Sequence, residues 1–139
     1  MAYCTQADLI ERMSEPDLVR LTDHDGDGSV DAAVVAAAIS DADGHIDSFL
    51  AVKYTVPVSP VPDVVRKRSV ILTIYYLQLY RESVTDSMKE AVKVVDAWLK
   101  AAAKGDVSLG ISPAPTESPA AGGVRYTSQP RIFGRDEPL

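Results

Sequence analysis

Pro62-Asp63-Val64-Val65-Arg66-Lys67-Arg68-Ser69-Val70-Ile71-Leu72-Thr73-Ile74-Tyr75-Tyr76-Leu77-Gln78-Leu79-Tyr80 decides the fold. Pro62 and Asp63 suit a first helical turn: proline lacks an N–H that would go unpaired there, and a carboxylate favours the positive end of the helix dipole. Beyond them, Val64, Val65, Val70, Ile71, Leu72, Ile74, Tyr75, Leu77, Leu79 and Tyr80 leave the helix apolar on most sides. A helix of that kind must be central or covered twice. The segment therefore predicts the middle of an all-α domain.

Working upstream, Pro57, Pro60 and Pro62 make residues 54–62 an extended connector, since proline cannot continue a helix. Before it, Asp31 is placed to cap a long helix whose stripe is Val35, Ile39, Ala42, Ile46 and Phe49, at three- and four-residue steps. Gly44 weakens that helix without breaking it. Nearer the start, Thr5 and Asp8 form a box-like cap for a short helix with Leu9, Ile10 and Met13 on its apolar side. Ser14-Glu15-Pro16 opens another brief helix that ends near Leu21.

Downstream, a helix follows Ser83 or Thr85, with Met88, Val92, Val95, Leu99 and Ala102 as its stripe and Trp98 flanking it. Lys89, Lys93, Lys100 and Lys104 occupy its other sides, and Gly105 is a good stop. The expectation is a small bundle of about four helices over residues 1–110. Residues 111–139 change character, with Pro113, Pro115, Pro119, Pro130 and Pro138 and glycines at 122, 123 and 134. They read as an extended C-terminal arm that gains order by lying on another surface, such as a neighbouring subunit.

Composition narrows the function. A chain of 139 residues, 46% hydrophobic and 24% charged, suits one globular domain with a core. The apolar runs fall short of the roughly 20 residues a membrane helix needs, and no signal peptide is expected. Cys4 is the only cysteine, so an internal disulfide is impossible. The net charge is −6, with residues 1–60 carrying eleven acidic against three basic side chains and residues 61–139 nine against eleven. Such a chain is not expected to grip nucleic acid. Its asymmetry suits copies that meet front to back. A soluble, intracellular, non-enzymatic protein is the expectation.

Among motifs, Asp23-His24-Asp25-Gly26-Asp27-Gly28-Ser29-Val30-Asp31 matches a calcium loop at positions 1, 3, 5, 6 and 9, with Val30 as its apolar position. Position 12 should be a bidentate Glu and is Val34. A cation held by Asp23, Asp25, Asp27 and Asp31 would be weakly bound or would need a carboxylate from elsewhere, such as Asp8 or Glu11. The alternative is a polar turn whose aspartates bond their own backbone and cap a helix. Arg66-Lys67-Arg68 is the only dense basic cluster, and either contacts a partner's acids or is solvated. Tyr75, Tyr76, Tyr80 and Trp98 read as core and interface packing, His24 and His45 as solvated, Cys4 as an inert buried thiol. No nucleophilic triad or Gly-rich phosphate loop is visible in the linear order.

Several strings, taken in order, resemble a Mu-like phage virion protein family. They are Met1-Ala2-Tyr3, Asp8-Leu9-Ile10, Leu21-Thr22 with the acidic loop to Gly28, Ile46-Asp47-Ser48-Phe49-Leu50, Tyr54-Thr55-Val56-Pro57-Val58, Val61-Pro62 and its helix, Lys104-Gly105-Asp106-Val107-Ser108-Leu109-Gly110, and Arg131-Ile132-Phe133-Gly134-Arg135-Asp136. The resemblance implies a head–tail adaptor, or connector. Such subunits form a ring of about twelve copies between the portal protein and the tail or its stopper or terminator protein. DNA passes through the ring unread. The implied location is the neck of the virion, after assembly in the host cytoplasm. No catalytic residue and no cofactor follow from it, calcium being the one candidate from the loop. In the arm, Arg131, Ile132 and Phe133 stand out as anchors, because aromatic and Arg side chains dominate interface energies.

Overall fold

The computed structural model describes residues 2–115. They form five helices: α1 (Gln6–Arg12), α2 (Glu15–Thr22), α3 (Ala32–Leu50), α4 (Asp63–Tyr80) and α5 (Asp86–Lys104). The fold is all-α, with the two brief N-terminal helices distinct from each other.

Local chemistry sets the helix ends. Thr5 and Asp8 make a reciprocal capping box on α1, and Ser14 caps α2 with Pro16 in its first turn. Asp31 caps α3 through the N–H groups of Ala33 and Val34, and Thr85 caps α5 through that of Met88. Gly105 closes α5 in the left-handed conformation, φ 89°.

α4 is the centre, packing against all four other helices. Two apolar clusters show how. One joins the second half of α3 (Ala42, Ile46, Leu50), Val65 and Leu72 of α4 and the second half of α5 (Val95, Leu99, Ala102). The other joins the first half of α3 (Val35, Ala38, Ile39), Val70, Ile74 and Leu77 towards the end of α4, α1 through Leu9 and α2 through Leu18 and Leu21. α4 therefore runs antiparallel to α3 and α5. Buried Leu50, rather than the half-buried Phe49, completes the α3 stripe one residue further on.

The connector is part of the core: Tyr54 and Val58 are buried in the first cluster. Tyr3 pins it. Its hydroxyl accepts from the Val58 N–H at 2.9 Å and donates to Asp47, while its own N–H donates to Asp43 at 3.2 Å. Past α5 the chain folds back, with Leu109 buried, Ile111 packed on the core and the Ala114 N–H donating to the Lys53 carbonyl at 2.8 Å. Among the described residues no helix is long and apolar enough to cross a membrane.

Candidate functional site

The acidic loop joins α2 to α3 as a tight local turn. Asp23 organises it: one carboxylate oxygen accepts from the N–H groups of Gly26 (2.7 Å) and Asp27 (3.0 Å), the other from that of Gly28 (2.8 Å). These donors hold the Asp23 carboxyl below its usual pKa. Asp25, beside Asp23 and Asp27, is pushed above the usual carboxylate range. Gly26 and Gly28 supply the turn with φ of 81° and 80°. Asp23, Asp25 and Asp27 each place one carboxylate oxygen within 4.8 Å of the others. That set could meet a hard cation on one side only. Asp31 is not part of it, because its carboxylate caps α3 at 3.0 Å from the Ala33 nitrogen. Asp8 caps α1 and, with Glu11, lines a groove against α4, so neither completes the loop.

The basic cluster is split. Arg66 pairs with Asp63 and, with exposed Lys67, lines that groove of about 510 Å³ together with Asp8, Glu11, Arg12 and Val70. Arg68 points elsewhere, its guanidinium 4.3 Å above the Trp98 ring of α5. Arg131, Ile132 and Phe133 lie outside the described residues.

His45 is not solvated. It is wedged among three helices, its Nε2 2.7 Å from Asp96 of α5 and its Nδ1 3.0 Å from the Tyr76 hydroxyl of α4, with Phe49 stacked beside it. With Nε2–H donating to Asp96, Nδ1 accepts from Tyr76. Burial raises the pKa of that phenol, so it remains a donor. A second polar knot surrounds Asp43, which accepts from the Tyr3 N–H and, at 3.4 Å, from the Ser69 hydroxyl. Burial raises the Asp43 pKa. Neither knot is legible in the linear order, because the partners lie far apart in the chain. The one available signal was polar residues at Asp43 and His45 flanking the α3 stripe. Cys4 is buried, its thiol 3.5 Å from the Thr73 hydroxyl and its pKa raised by burial.

The family model for Bacteriophage Mu, Gp36 matches residues 3–128. The chain belongs to this family. Gene product J of Escherichia phage Mu is 28% identical over 141 residues, covering 99% of this chain and 97% of that protein. The Mu-like prophage FluMu protein gp36 of Haemophilus influenzae is 28% identical over 134 residues, covering 96% of this chain and 94% of its own. The Gp36 match takes in α1 to α5, the connector and the first part of the arm.

Proposed function

We propose that this Gp36-family chain is a structural virion protein, the subunit of a head–tail connector ring between portal and tail. The observation that carries the reading is the phage-family match over nearly the whole chain. The fold supports it. Where α3 and α5 begin and α4 ends, Asp23, Asp25, Asp27, Glu82 and Asp86 outnumber Arg81 and Lys89. At the opposite end Lys53, Arg66, Lys67, Lys100 and Lys104 outnumber Asp47, Asp63 and Asp106. A contact that joins unlike ends of successive copies, repeated about an axis, closes into a ring. The protein acts by assembly, without a catalytic residue, and DNA passes through the lumen without sequence reading. Arg131, Ile132 and Phe133 anchor the arm.

Electron microscopy of the native particle tests this. The expected result is a ring of about a dozen copies, one closed cyclic assembly, between portal and tail. Absence from the particle, or a scattered location, would overturn it. Deleting residues 125–139 should leave a folded domain that no longer enters particles.

A second reading, a calcium-responsive interaction module, draws on the convergence of Asp23, Asp25 and Asp27. Calorimetry separates the two. Calcium binding tighter than about 10 μM, the range of calcium sensors, would favour the module. The open side of the loop and Val34 at the twelfth position argue for weaker binding.

A further inference from the structure

α4 leaves one face only partly covered, although Ile71 on it also packs against the first cluster. Val64, Arg68, Ile71, Tyr75 and Leu79 recur along it at three- and four-residue steps, with Val64 38% and Leu79 44% exposed. Antiparallel α5 sets Ala91, Val94, Trp98 and Ala101 alongside, Val94 being 66% exposed. The stacking of Arg68 on Trp98 fixes the two rows as one apolar stripe. Within it, Arg68 is the single charged side chain. Among the described residues its hydrogen bonding is one long contact of 3.5 Å to the Val64 carbonyl, and its Nε is buried without a partner. Trp, Tyr, Arg and aliphatic groups together are the chemistry that protein interfaces concentrate. The occupant that fits is apolar, slender and equipped with a carboxylate.

This chain contains such a segment. Residues 116–139 hold one pair of adjacent large apolar side chains, Ile132-Phe133, with Asp136 three residues on. The described chain ends at the same end of the bundle at which the stripe begins, since Ala114 bonds Lys53 there, where α5 stops and α4 starts. The stretch from residue 116 to Ile132 can span up to ~56 Å at ~3.3 Å per residue, while α4 is only ~27 Å long at 1.5 Å per residue. Reach is therefore ample. The groove between α1 and α4 is a poorer seat, because charges line both walls and Val70 is its one apolar lining residue.

We propose that residues 131–136 of the arm dock on the α4–α5 stripe, Ile132 and Phe133 against Ile71, Tyr75 and Val94, and Asp136 on Arg68. Docking requires no ring, so this proposal and the connector reading can fail separately. The test uses the full chain with a benzophenone amino acid in place of Phe133. After irradiation and trypsin digestion, cross-links should concentrate in the peptides 69–81 and 94–100. Mixing heavy and light chains tells whether the arm sits on its own domain or a neighbour's; the proposal covers both. Val94→Lys, at an exposed site, should leave the melting curve unchanged and lower the yield at least fivefold. Arg68→Glu should lower it too, and Asp136→Lys should restore part of that loss. Cross-links to the α1–α4 groove, cross-links indifferent to Val94→Lys, or none at all would overturn the proposal.

Discussion

The two histidines of this chain lie 21 positions apart and serve opposite kinds of structure. His24 belongs to a loop whose hydrogen bonds span two to five residues, all exposed. His45 joins α3 to partners 31 and 51 positions away, half-buried. Both surroundings combine imidazole with carboxylate, yet the first is a local turn and the second is a tie across the bundle. A local turn forms wherever its own residues favour it and adds little to the domain. A tie between three helices exists only in the folded chain, so its full worth appears in global stability.

The sharpest way to break this contrast is His45→Ala. It leaves the Tyr76 hydroxyl and Asp96 without a partner and empties the space beside Phe49. A hydrogen bond to a charged group contributes roughly 1.5–3 kcal/mol, so we expect a loss of about 2 kcal/mol, a fall in Tm of about 8 °C for a domain of this size. Thermal unfolding of the full chain measures it. An unchanged Tm would reduce the tie to a surface contact.

Tyr3→Phe probes the other long-range knot. The aromatic ring stays in the core, but the buried Val58 N–H loses its acceptor and Asp47 its donor. An unsatisfied buried donor costs about 1–3 kcal/mol. A loss nearer the lower end is expected, since Asp47 is not fully buried and water can serve it. Amide exchange at Val58 should accelerate in step with the melting shift.

On the local side, alanine at the two kinds of glycine sharpens the comparison. Gly28 has φ 80° and open space around it, so Gly28→Ala meets backbone strain alone. The cost is about 1 kcal/mol. Gly44, inside α3 with nothing near its would-be Cβ, should respond oppositely, with Gly44→Ala gaining about 0.5–1 kcal/mol from helix propensity. Opposite signs for one substitution separate loop from helix by chemical denaturation.

What the linear order disclosed follows the same division. Thr5 with Asp8, Ser14, Asp31, Thr85 and Gly105 announce helix ends because a cap acts within three residues of itself. The apolar character of α4 on most sides announces its central place. The acidic loop is legible as a turn, and the mutual approach of Asp23, Asp25 and Asp27 follows from their alternation. Arg66-Lys67-Arg68 is contiguous in sequence but divides across two faces, because a helix turns 100° per residue. His45 reads as a polar residue on an exposed side, since nothing near it names Tyr76 or Asp96. The burial of Val58 inside a proline-rich connector depends on Tyr3, 55 positions earlier. Contacts of that span are decided by packing, which periodicity along one helix does not encode.

The smallest expected effect concerns Asp43, where the two kinds of interaction meet a pH axis. Burial raises its folded pKa above 3.8, against the pull of the Tyr3 and Ser69 donors. The folded chain therefore holds this proton more tightly than the unfolded chain. Across the window from 3.8 up to the raised value, stability falls as pH rises, because folding there takes up a proton that becomes scarcer. Above the window the ionised carboxylate stays in place at a constant cost. Asn at this position keeps an oxygen for both donors and removes the charge. Asp43→Asn should thus raise Tm modestly at pH 7, with the gain shrinking as pH drops through that window towards 3.8. Melting curves of both proteins at the two pH values measure the difference. A variant less stable at neutral pH would mean that the ionised carboxylate, held by its two donors, contributes more than its burial costs.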